Sequence, residues 1–159
     1  MAQNSVNSQE KFSSNDWDEL CRSPLAVFGL IAMADEEADQ IEFDAFLKAT
    51  HIFECFELEF VNSVYNSSAI RCNELGVSLN DFESMARPLK AVRAILNNKI
   101  DPDIADQFCW SLLHTGVQVA KASGGFMGFG KISKDEKEML ITISMVLGIE
   151  EDLEGFINP

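Results

Sequence analysis

Apolar residues recur along this chain at three- and four-residue spacing, the period of a helix with one buried face. Residues 1–15, MAQNSVNSQEKFSSN, lack that period and predict a disordered tail. A short helix is expected from Asp16. A second is expected behind Ser23 as cap and Pro24 at its first position. Its run LAVFGLIAMA, residues 25–34, is apolar on every side and predicts the buried central helix. After the polar turn DEEADQ comes a helix over about 42–53, with Phe43, Phe46, Leu47 and Phe53 on one face.

The next helix covers about 57–75, with Val61, Val64, Tyr65, Ser68 and Cys72 in one stripe and Gly76 as terminator. Ser78 or Asn80 then opens a helix carrying Phe82, Met85, Ala86, Leu89, Val92 and Leu96, which Pro88 should break or kink. Asn97, Asn98 and Lys99 form a loop, and Asp101-Pro102 starts a helix to about Ala122. The loop SGGFMGFG leads to a last long helix from Ser133, with Ile132, Met139, Leu140, Ile143, Val146 and Leu147 on one side and Gly148 at its end. The acidic tail EEDLEGF follows. No segment alternates as a strand does. The expectation is an all-α fold of about seven helices in a single domain, residues 16–159, large enough to bury roughly two-thirds of its unfolded surface.

Charge changes the picture more than composition does. Asp and Glu total 26 against 12 Lys and Arg, a net charge of -14. Such a field repels phosphate backbones and anionic lipid, so nucleic acid and membrane insertion are not expected, whereas cations and basic partners are favoured. Excess acid also simply keeps a protein in solution. Cys21, Cys55, Cys72 and Cys109 form no CxxC pair and read as reduced, buried, small hydrophobes. The polar N-terminus has no apolar leader, and the run at 25–34 is too short to span a bilayer, so a cytoplasmic protein is expected.

Two stretches carry a resemblance. IAMADEEADQIEFDAFL and GKISKDEKEMLITISMVLGI each join a helix, a polar turn, an isoleucine (Ile41 or Ile132) and an acid-rich helix start, as in a weak internal two-fold repeat. They resemble the two helix-turn-helix signatures of the TerB-like tellurite-resistance domain, over roughly residues 20–150. The resemblance implies an all-helical domain with an acidic surface and a role in stress response through metal sensing or protein interaction. It implies no established catalytic chemistry, so the chain is read as non-enzymatic.

Ser133 and Glu136 have capping-box spacing, which explains that stretch as a helix start. The turn before Phe43 is chemically richer. Asp35, Glu37, Asp39 and Glu42 crowd one loop, and hard divalent cations take several carboxylate oxygens converging on a point. These four are the candidate metal ligands or contacts to a basic partner. An EF-hand is excluded, because Gln40 stands at the turn glycine and Phe46 at the bidentate glutamate. A solvated acidic loop is the competing reading. His51 with Cys55 could hold zinc only as two ligands, short of a structural site, and His114 has no helical partner ligand.

Three functions remain open. The first is a stress-response domain acting through protein partners, with a divalent cation at the acidic turn. The second is a metal-dependent hydrolase with a helical carboxylate site, against which stands the lack of a Glu-x-x-His pair. The third is a bundle that binds an apolar ligand or forms a homodimer through Phe-rich faces. The metal reading predicts saturable binding when calcium, magnesium or zinc is titrated calorimetrically into metal-stripped protein, lost in Asp35→Asn/Asp39→Asn. Heats that match the buffer blank in both proteins leave a solvated acidic loop.

Overall fold

A computed structural model describes residues 8–34, 59–76, 81–123 and 131–157. Seven α-helices and no strand occur among the described residues, so the fold is all-α. They are α1 (Ser14–Ala34), α2 (Glu59–Ile70), α3 (Cys72–Leu75), α4 (Phe82–Leu96), α5 (Pro102–Ser123), α6 (Lys134–Val146) and α7 (Glu154–Ile157). The helix expected over 42–53, residues 124–130 of the glycine-rich loop and the acidic turn lie outside the described residues. The turn and second helix of the first half of the suggested repeat therefore do too, while its first helix is part of α1.

The central helix is longer than its sequence signals indicate. Instead of a short helix followed by a capped one, α1 runs unbroken through Pro24. Its cap is Ser13, whose Oγ accepts the Asp16 N–H at 3.1 Å. Proline at position 24 removes the N–H that would reach the Leu20 carbonyl. Ser23 Oγ donates to that same carbonyl at 2.6 Å, so the orphaned acceptor is satisfied inside the core. Ser23 thus mends the helix rather than starting it. Pro88 is likewise accommodated within α4, which is capped by Asp81 through the Ser84 N–H at 2.8 Å. Neither Ser78 nor Asn80 is that cap.

Part of the expected tail is ordered. Ser8–Lys11 forms a 3-10 turn, and Phe12 is buried against Trp17 (ring centroids 6.0 Å) and Phe60 (5.8 Å). The helix expected over 57–75 is interrupted at Arg71 between α2 and α3, and its stripe of Val61, Val64, Tyr65 and Ser68 is buried. Gly76 ends α3 at φ +50°, the left-handed region open to glycine.

Among the described residues every other long helix packs on α1: α2, α4, α5 and α6 all touch it, as does short α3. Leu20, Cys21, Ala26, Val27, Leu30 and Ile31 are essentially inaccessible, which fits a helix apolar all round. Cation–carboxylate pairs orient its N-terminal half. Arg71 reaches Asp18 at 2.9 Å and Glu74 at 3.0 Å, while Glu19 takes Arg22 at 2.8 Å and Arg87 at 3.5 Å. A buried hydroxyl cluster links α2 to α5. Thr115 Oγ1 donates to the Ser111 carbonyl at 2.9 Å, leaving it to accept from Tyr65 Oη, also at 2.9 Å.

Gly116 sets how closely α5 can lie against α1 and α6. A Cβ there would meet Leu140 Cδ2 at 2.9 Å and Val27 Cγ1 at 3.2 Å. Leu140 could swing, but a β-branched valine in a packed helix has little freedom. Gly116→Ala is therefore expected to lower stability by about 1 kcal/mol, the overpacking outweighing alanine's better helix propensity. Gly155→Ala, with nothing within 4 Å, should leave stability unchanged or raise it slightly. Urea unfolding of the two variants checks the contrast; a stabilised Gly116→Ala would contradict the close approach.

Candidate functional site

The acidic turn carrying Asp35, Glu37, Asp39 and Glu42 lies outside the described residues, as do His51 and Cys55. Among the described residues, no group of three or more His, Cys, Asp or Glu side chains could hold a metal ion. The other acid-rich helix start serves structure. Glu136 is buried, accepting the Ser133 N–H at 2.8 Å, and Ser133 Oγ accepts the Glu136 N–H at 3.2 Å. This is the capping box its spacing predicts.

Of the three described cysteines, two take the core positions expected of them. Cys21 and Cys109 are buried and free, and burial pushes their thiols up to about 12 and about 11. Both are protonated at neutral pH, the inert form. Cys72 is free and half-buried. Tyr65 is fully buried, and burial pushes its phenol well above the usual range.

The most distinctive surface lies at the far end of α6. Leu140, Ile143 and Leu147 face the core. Lys137, Ile141 and Met145, spaced by four, form a second ridge on the outer side. Ile141 is 46% exposed and Met145 73%, unusual for large apolar side chains. The helix then stops in a Schellman motif: the Gly148 N–H bonds the Met145 carbonyl and the Ile149 N–H bonds the Ser144 carbonyl. Gly148, at φ +69°, makes this reversal possible.

The chain returns alongside α6. Ile149 and Ile157 are buried, and Asp152 Oδ1 caps α7 by accepting the Glu154 N–H at 3.0 Å. Phe156 packs edge-on against Trp110 on α5, ring centroids 5.3 Å apart. Arg93 on α4 fixes the corner by donating from Nε to the Leu147 carbonyl at 2.8 Å and pairing with Asp106.

Between the α6 ridge and this returning segment lies a groove of about 490 Å³. Ile141, Met145, Ile149, Leu153 and Ile157 supply its apolar surface, and Glu150, Glu151, Asp152 and Glu154 line it with carboxylates. Lys137 is the one cation among its lining residues. Sequence reasoning missed this site. Its one visible signal was that Ile141 and Met145 fall off the apolar stripe of their own helix while sharing an i, i+4 spacing.

Comparison with known proteins adds one similar protein. The chain is similar to a protein described as "Uncharacterized protein ORF11'" from Methanothermobacter thermautotrophicus, at 28% identity over 144 residues, spanning 86% of this chain and 89% of that one. No family model matches the chain, and no solved structure does.

His114 on α5 stands beside Phe156, with ring centroids 6.1 Å apart. Burial, and secondarily the charge of Lys121, hold its pKa below the ordinary 6.5. The unfolded chain then binds a proton more readily than the folded one. His114 should lower stability as pH falls below 6.5 toward the folded pKa. Urea midpoints measured from pH 7 to about 5 should fall less in His114→Gln than in the wild type. Parallel curves would show that His114 titrates alike in both states.

Proposed function

We propose that this chain is a non-enzymatic helical domain of the TerB-like kind, acting in a cytoplasmic stress response by binding a protein partner. The observation that carries the reading is the α6 groove, where Ile141 and Met145 stand in water along a wall of built helical structure. Fully burying such side chains is worth about 1.5–3 kcal/mol each, enough to anchor a partner. Methionine is also an adaptable contact residue. The all-α architecture and the capping box within GKISKDE are consistent with the TerB-like resemblance.

The acidic turn of Asp35, Glu37, Asp39 and Glu42 belongs to the same proposal as a divalent-cation site, supported by the sequence. Cytoplasmic placement is supported by the free thiols of Cys21, Cys72 and Cys109, and no described helix is long and apolar enough to cross a membrane. A net charge of -14 disfavours nucleic acid as the partner.

Ile141→Gln/Met145→Gln tests the reading. Both side chains are exposed and glutamine suits a helix, so stability should stay within about 0.5 kcal/mol of wild type. The chain is used as bait before and after stress, and recovered proteins are identified and re-tested in purified form. At least one should bind the wild type and bind the double variant about tenfold more weakly or worse. Equal affinity for both by every purified partner would place docking elsewhere.

A further inference from the structure

The groove also indicates what kind of segment it receives. Resting on the docking reading above, we infer that its occupant is a basic amphipathic helix of a partner protein.

The apolar ridge fixes the shape. Ile141 and Met145 stand one turn of α6 apart, about 6 Å along its axis, with the Lys137 stem a turn before them, offering an i, i+4 row beside which another helix can set its own row. Recognition of this kind reads apolar anchors at i, i+3 or i+4, and i+7. Ile141 and Met145 stand 46% and 73% exposed, so the groove is an open surface seat rather than the enclosed cleft that buries most of a small ligand.

The charges fix the sign. Glu150, Glu151, Asp152 and Glu154 are all exposed, and among the described residues none of them has a cationic partner. Other acids stand unpaired singly or in twos, such as Glu59 or Asp101 and Asp103, while Asp16 pairs with Lys99, Asp18 with Arg71, Glu83 with Lys90 and Asp106 with Arg93; only 150–154 gathers four beside an apolar groove among the described residues. Uncompensated carboxylates are thus gathered along one apolar groove of a chain whose net charge is already -14. A partner carrying Lys or Arg beside its apolar row would neutralise them, and the field would speed its approach. A second copy fits poorly. A two-fold contact sets each patch against itself, acid against acid, with Lys137 as the lining cation.

The test uses synthetic helices of about 18 residues, five turns. One has leucine at i, i+4 and i+7 with lysine and arginine on its flanks. A second keeps the leucines with glutamate flanks, and a third scrambles the basic sequence. Fluorescence anisotropy against the full chain should show saturable binding of the basic amphipathic helix alone. Ile141→Gln/Met145→Gln should abolish it. Glu150→Gln/Glu151→Gln/Asp152→Asn/Glu154→Gln should weaken it about tenfold, as should raising salt from ~50 to ~500 mM. Asparagine caps as aspartate does, so that variant keeps α7.

Equal binding of the scrambled peptide would reduce the effect to bulk charge and overturn the inference. So would equal binding of the acidic helix, or no binding of any peptide. A wild-type dimer in sedimentation that Ile141→Gln/Met145→Gln dissociates would make a second copy the occupant and also overturn it. In each failure, purified partners still lost by Ile141→Gln/Met145→Gln would leave the docking reading standing; partners retained would remove it as well.

Discussion

A helix that is apolar on every side has to be enclosed, and α1 imposes that requirement on the rest of the chain. No single neighbour can cover it, so α2, α4, α5 and α6 are arranged around it, with α3 against its N-terminal half. Two local devices make the arrangement work. Ser23 supplies the hydrogen bond that Pro24 cannot make to Leu20, keeping the helix continuous through the core. Gly116 gives α5 a bare stretch of backbone, so Val27 of α1 and Leu140 of α6 can both reach it.

Charge has a different task. The N-terminal half of α1 carries Asp18 and Glu19, which Arg71, Arg22 and Arg87 meet from the α2–α3 turn, from α1 itself and from α4. Such partly exposed pairs contribute only about 0–1 kcal/mol each. Their effect lies more in orientation: a cylinder apolar all round could rotate among equivalent packings, and fixed charge pairs at one end disfavour the alternatives. The same economy makes the unmatched carboxylates of 150–154 conspicuous, because most of this chain's few cations are engaged elsewhere.

Much of the fold was legible because helix ends carry local chemistry. Asp101-Pro102, Ser133 with Glu136, and Gly148 each act within a few residues of chain, and each marks the boundary its sequence suggests. The prolines misled for the opposite reason. Whether Pro24 begins a helix or sits within one depends on what satisfies a carbonyl four residues earlier, and here a buried serine does so. Phe12 was unreadable because its contacts, Trp17 and Phe60, lie on two separate helices. The groove was least legible of all. Ile141 and Met145 look like ordinary helix residues until Gly148 turns the chain back and sets acids beside them. The acidic turn at 35–42, the clearest candidate from sequence, falls outside the described residues, so nothing in the fold weighs on it.

Function on this account rests on one surface: the outer ridge of α6 with the segment returning beside it. Amide hydrogen exchange of the whole chain, with and without the basic amphipathic helix, addresses that claim residue by residue. Docking there adds protection in Lys134–Val146 and across 149–157 and leaves α1 and α2 unchanged. Protection confined to other helices, or an unchanged profile at saturating peptide, would contradict it.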